Sequence, residues 1–108
     1  MDRADELYKL VAEIPAGRVI SYSALGLAMI PRMWPRQVGN YMRFSSPGIP
    51  WWRVVAADGH ISLAKSDPAM AVEQRKRLES EGVEFKGECV RMADFLWDAN
   101  EAYEAGLI

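Results

Sequence analysis

The sequence predicts a small α+β domain of the winged helix-turn-helix kind, and three observations lead there. A helix that Ser23 can cap and Pro31 closes is followed, after a short connection, by another that opens at Pro35. A β-favouring run from Arg18 to Ser21 precedes the pair. After it, Val54 to Ile61 reads as strand, turn and strand around Asp58-Gly59, in effect a wing. At 108 residues the chain has room for one domain, 1–108, with a modest core.

Each element has a local reason. Leu7, Leu10, Val11 and Ile14 fall at i, i+3, i+4 and i+7, which predicts an amphipathic helix over 3–14 that Asp2 can cap and that Pro15 and Gly17 end. The helix after Ser23 turns Leu25, Ala28 and Met29 to the core. Proline suits the first turn of the next helix, because its missing N–H would be unpaired there anyway. Asp67-Pro68 marks a further helix start and Gly82 its end, with Val83 to Phe85 extended behind it. A last helix is expected over about 93–105, with Leu96, Asn100, Tyr103 and Leu107 on one side.

Composition narrows the function classes. Half of the residues are apolar, yet no uninterrupted apolar run nears the roughly 20 residues a membrane helix needs, so a cytoplasmic protein without membrane contact is expected. In a prokaryote it would be associated with the nucleoid. Cys89 is the sole cysteine and cannot form an internal disulfide, and one cysteine with one histidine cannot build a Cys/His zinc site. No metal and no cofactor are expected.

The net charge of −2 hides an uneven distribution. Between Ala16 and Lys65, Arg18, Arg32, Arg36, Arg43, Arg53 and Lys65 face only Asp58, six basic residues against one acidic. The flanks hold seven basic against fourteen acidic. Arginines interleaved with Tyr22, Trp34 and Tyr41 form the footprint of a nucleic-acid face. On the helix from Pro35, Arg36, Asn40 and Arg43 share one stripe, while Val38 and Met42 point elsewhere. Gly39 leaves that face without a side chain. Glycine costs a helix about 1 kcal/mol relative to alanine, so a close backbone approach, with DNA the candidate, accounts for it.

The most specific stretch is Ile49-Pro50-Trp51-Trp52-Arg53-Val54-Val55. Alone, its tryptophan pair fits a buried core as well as a ligand site. It does not stand alone: Ile14-Pro15-Ala16-Gly17-Arg18-Val19-Ile20-Ser21-Tyr22 and Pro35-Arg36-Gln37-Val38-Gly39 precede it, and Asp58-Gly59-His60-Ile61-Ser62 follows. In this order and spacing the chain resembles the DNA-binding domain of O6-alkylguanine-DNA alkyltransferases, whose frame reads Pro-Cys-His-Arg-Val. Tryptophan in the cysteine position is the mark of the alkyltransferase-like proteins, which bind alkylated guanine without repairing it. An indole supplies one N–H donor and an apolar face, never the thiolate that alkyl transfer needs.

The resemblance implies roles. The third helix would enter the minor groove and push Arg36 into the stack vacated by a flipped guanine. Tyr22 would crowd the neighbouring phosphate, and Arg43 would hold another. Trp51 would floor the lesion pocket, with Tyr22 beside it, Met42 and Val54 as walls, and the segment from His60 through Ala64 to Lys65 as cover. Arg53 would brace the motif. Three departures stand out: Trp52 replaces the usual histidine, Ala64 stands where many relatives carry arginine, and Ser45 where the transferases have asparagine.

The function so implied is non-enzymatic. The protein would bind O6-alkylguanine in double-stranded DNA by nucleotide flipping, act as a monomer, and signal to nucleotide-excision repair proteins. The alternative is a winged-helix transcriptional regulator of undamaged DNA. A residual transferase working through Cys89 with His60 is disfavoured by the lack of a nucleophile motif around Cys89.

Overall fold

The computed structural model describes residues 3–43, 48–62 and 67–99. The expected cap at Asp2 and the stretch 100–105 of the expected last helix lie outside them. Helix α1 (Arg3–Ala12) buries Leu7, Leu10 and Val11, and Ile14 follows them into the core just past its end, as the spacing predicts. Strand β1 (Ile20–Ser21) leads directly into α2 (Tyr22–Ala28), and α3 (Pro35–Met42) begins at the expected proline. A 3₁₀ turn (Trp51–Arg53) runs into β2 (Val54–Val55), followed by α4 (Pro68–Ser80), the hairpin β3 (Phe85–Lys86) and β4 (Cys89–Val90), and α5 (Met92–Phe95).

The two short parallel strands divide the core. Side chains alternate across a strand, and β1 pairs with β2 in the register Ile20↔Val54 and Ser21↔Val55. Ile20 and Val54 therefore enter one apolar cluster, with Leu7, Leu25, Val38 and Met42. Val19 and Val55 enter the other, with Leu78, Val83 and Val90. The 3₁₀ turn reverses the strand's alternation. Trp51 packs against the first cluster and Trp52 against the second.

Helices α2 and α3 meet through a glycine. Met33 N–H donates to Gly26 O across 2.8 Å, so the connection folds back onto α2. A Cβ at Gly26 would lie 2.0 Å from Met33 O, which no side chain tolerates. At the other end of α2 the cap differs from expectation. Ser21 rather than Ser23 accepts the Ala24 N–H, at 3.1 Å, and Ser23 Oγ lies 3.2 Å from Ser21 Oγ. Tyr22 thus opens a helix. For α4 the cap is as expected: Asp67 accepts the Met70 N–H at 3.2 Å, and Gly82 follows the helix with φ +89.

Two expectations are corrected. The segment after β2 makes a tight turn, with Ala56 N–H to His60 O at 2.9 Å, but does not return along β2. His60 instead bridges antiparallel to Cys89, and Gly59, at φ +93, lies so near β4 that a Cβ would come within 2.6 Å of Val90 O. Helix α5 stops at Phe95 because the free edge of β1 recruits the chain: Val19 N–H donates to Phe95 O at 2.9 Å and Trp97 N–H to Val19 O at 2.7 Å. Leu96 consequently stays exposed while Trp97 is buried. Among the described residues no helix is long and apolar enough to cross a membrane.

Candidate nucleic-acid interface

A cleft of about 650 Å³ opens between α3, the 3₁₀ turn and the start of α4. Its size lies within the ordinary range for small-ligand sites. The five residues expected on the DNA face, Tyr22, Arg36, Gly39, Asn40 and Arg43, all line it, and so do Met42 and Trp51. Arg36, Asn40 and Arg43 are solvent-exposed, and Val38, on the opposite side of α3, is fully buried. A Cβ at Gly39 would meet nothing within 4 Å. Internal packing therefore gives no reason for the glycine.

Val54 does not line the cleft. It is fully buried opposite Ile20, because the strand register turns it into the core. The side of the cleft toward α4 is formed by Met70, Gln74 and Asp67, none of which the motif frame had marked. Ser62 also lines it, with its hydroxyl 3.2 Å from Tyr22 Oη. Ala64, Lys65 and Ser45 lie outside the described residues.

Behind the cleft, Trp51 and Trp52 meet edge to face, with ring centroids 6.0 Å apart and planes at 89°. Trp52 Nε1–H donates to Glu81 Oε2 at 3.0 Å. Arg53 braces the motif as expected. Its Nε donates to Glu81 Oε1 at 3.0 Å and its Nη1 to Ile14 O at 2.8 Å. Burial pushes the Glu81 carboxyl up, but hydrogen bonds from Arg53, Trp52 and the Gly17 N–H, with the Arg53 charge, outweigh it and hold the group below the usual carboxylate range. The Arg77 guanidinium lies 4.7 Å from the Trp52 ring centroid and 5.8 Å from that of Trp51.

Gln74 holds the turn from the other side. Its Nε2 donates to both Trp52 O and Val54 O, each at 3.0 Å, which fixes the amide orientation. No sequence signal marked Gln74 or Glu81, since each lies 20 or more residues from the motif groups it bonds.

Cys89 and His60, distant in sequence, do meet. Cys89 Sγ is 3.4 Å from His60 Nδ1, and Asp58 Oδ2 is 2.9 Å from the same nitrogen. The hydrogen bonds from His60 hold Asp58 below its ordinary pKa. Neither Cys89 nor His60 lines the cleft, so the thiol is not placed where the frame's nucleophile would act.

The profile of a family described as "6-O-methylguanine DNA methyltransferase, DNA binding domain" matches residues 2–83. The chain belongs to this family. Within it, it is an alkyltransferase-like member. It is 38% identical over 82 residues to alkyltransferase-like protein 1 of Schizosaccharomyces pombe, covering 73% of this chain and 74% of that protein. It is 30% identical over 81 residues to a DNA base-flipping protein of Vibrio parahaemolyticus, covering 73% of this chain and 78% of the relative. In three dimensions it is similar to S. pombe Atl1 in complex with damaged DNA containing O6-carboxymethylguanine. That match has a TM-score of 0.73 and 31% identity, and covers 88% of this chain and 94% of Atl1. In this alkyltransferase-like chain the Trp51 indole lines the same cleft as Arg36 and Arg43.

Proposed function

We propose that this alkyltransferase-like chain is a non-enzymatic DNA-damage recognition protein of the winged helix-turn-helix kind. It binds duplex DNA containing O6-alkylguanine by flipping the nucleotide into the cleft, and it signals to nucleotide-excision repair. The observation that carries the reading is the placement of Trp51 in a cleft rimmed by Tyr22, Arg36 and Arg43. An apolar ring stands where alkyl transfer would need a thiolate, so a base can be held there and not dealkylated.

The parts divide the work. Flipping costs a few kcal/mol of pairing and stacking, less where alkylation has already weakened the pair. Arg36 offsets the loss, since its planar cation can stack in the vacated position and bond to the orphaned cytosine. Tyr22 crowds the backbone beside the flipped nucleotide. Arg43 contacts phosphate, which sets register without reading bases. Met42 and Trp51 provide apolar contact for the alkylated base.

The test follows both halves of the proposal. A fluorescent base analogue placed beside O6-methylguanine should brighten on binding as its stacking neighbour leaves, and a labelled O6-methyl group should remain on the DNA. An unchanged reporter would exclude flipping. Label recovered on Cys89 would establish a transferase.

A further inference from the structure

Trp34 sits where a helix wants a different residue. It is the N-cap of α3, a position at which Ser, Thr, Asp or Asn accepts a first-turn N–H. Indole has no acceptor, so the Trp34 side chain cannot do this. Half of a capping box remains, because Gln37 Oε1 accepts the Trp34 backbone N–H at 2.9 Å. The side chain is also 60% exposed. Position 34 therefore costs the fold twice, once for the lost cap and once for apolar surface left in water.

Its surroundings say what the ring is for. The Arg32 guanidinium lies over the Trp34 ring, 4.6 Å from its centroid, so a positive charge stands against one face of the indole. Pro35 and Arg36, the next two residues, line the cleft, so Trp34 is within about 7 Å of chain of the arginine proposed to enter the base stack. No acidic residue occurs between Ala16 and Ala57. Of the large apolar side chains exposed among the described residues, Leu27 lies in the last turn of α2, and Ile30 and Trp34 in the short stretch joining it to α3. Proteins that work in the minor groove use apolar side chains of this kind against sugars and base edges, and cations to hold the adjacent phosphate.

We infer that Trp34 and Arg32 form a second DNA contact beside the lesion site. The Trp34 indole packs against the minor-groove wall next to the point where Arg36 enters, and Arg32 pairs with a phosphate. This deepens the proposed function and rests on it. The contact is indifferent to the lesion, because it touches backbone and groove wall rather than the flipped base.

The experiment sets stability against binding. Trp34→Ser supplies the missing cap, so its unfolding midpoint should equal or exceed that of the unaltered protein. Its affinity for duplexes with O6-methylguanine and with guanine should fall about tenfold on both, at unchanged salt dependence. Trp34→Phe should recover most of the affinity. Arg32→Gln should reduce the salt slope by roughly one unit. Trp34→Ser binding within twofold of the unaltered protein, while that protein still prefers the lesion, would overturn the contact and leave the proposed function standing. Equal binding of the two duplexes by the unaltered protein would instead overturn the proposed function.

Discussion

The Trp52 indole N–H donates to Glu81 Oε2 across 3.0 Å, so the residue that departs most from the transferase frame is tied to the C-terminal end of α4. The same carboxylate takes Arg53, whose other hydrogen-bond acceptor is Ile14 O just past α1. One acidic side chain thereby joins the motif turn to two helices. The Arg53 and Glu81 side chains are each only 14% exposed.

Glu81→Gln should lower stability at neutral pH by about 3 kcal/mol, since it leaves Arg53 without its counter-charge. The pH dependence has a defined sign. The folded carboxyl titrates below its ordinary value of 4.5, so its contribution is complete well above that pH and falls away as acid is added through the folded pKa. Chemical denaturation at a series of pH values should show this acid-side loss in the unaltered protein and a flatter profile in Glu81→Gln. Parallel profiles would separate Glu81 from the acid response.

The adjacent tryptophans should part company. Trp51→Ala removes the stacking surface of the cleft and should weaken binding to the lesion duplex by roughly tenfold to a hundredfold. Trp52→Ala should destabilise the fold by about 3 kcal/mol, because it opens a cavity against the second cluster and strips a donor from Glu81. Unfolding curves and lesion titrations on both variants measure this. An unfolded Trp51→Ala beside a stable, binding-deficient Trp52→Ala would put the site one residue off.

Arg36→Ala should cost affinity for alkylated duplex more than for undamaged duplex, since a vacated stack exists only after flipping. Arg43→Ala should weaken both alike and reduce the salt slope by roughly one unit. Titrations of both duplexes at several salt concentrations separate the two roles. Equal losses for Arg36→Ala would reduce it to a phosphate contact.

Gly39→Ala gives a further separation. With open space around the added Cβ, the free protein should gain up to about 1 kcal/mol from helix propensity. The same methyl would stand where DNA approaches the α3 backbone, so binding should weaken. A variant both more stable and equally tight in binding would remove the close approach from the account.

Much of the cleft was legible because local chemistry marks it. Pro35 fixes where α3 begins, and the 3.6-residue period then sets Arg36, Asn40 and Arg43 on the face opposite Val38. Asp67 capped α4 as its residue type suggests. What escaped depends on tertiary contacts. Ser21 and Ser23 are equally good caps in sequence, and only the end of β1 selects Ser21. Val54 follows Arg53 in the frame, but pairing with Ile20 turns it inward. Glu81 and Gln74 look like ordinary helix residues until the motif turn packs on them. The early end of α5 is set by the edge of β1, a partner more than 70 residues away.

The central claim is that the cleft distinguishes alkylated guanine in duplex DNA. The most direct test titrates the full chain against two duplexes that differ only in one base, O6-methylguanine in one and guanine in the other, at a single stated salt concentration. The account predicts binding of the O6-methylguanine duplex tighter by roughly tenfold or more, since the lesion lowers the cost of flipping. Equal affinity for the two duplexes would contradict it.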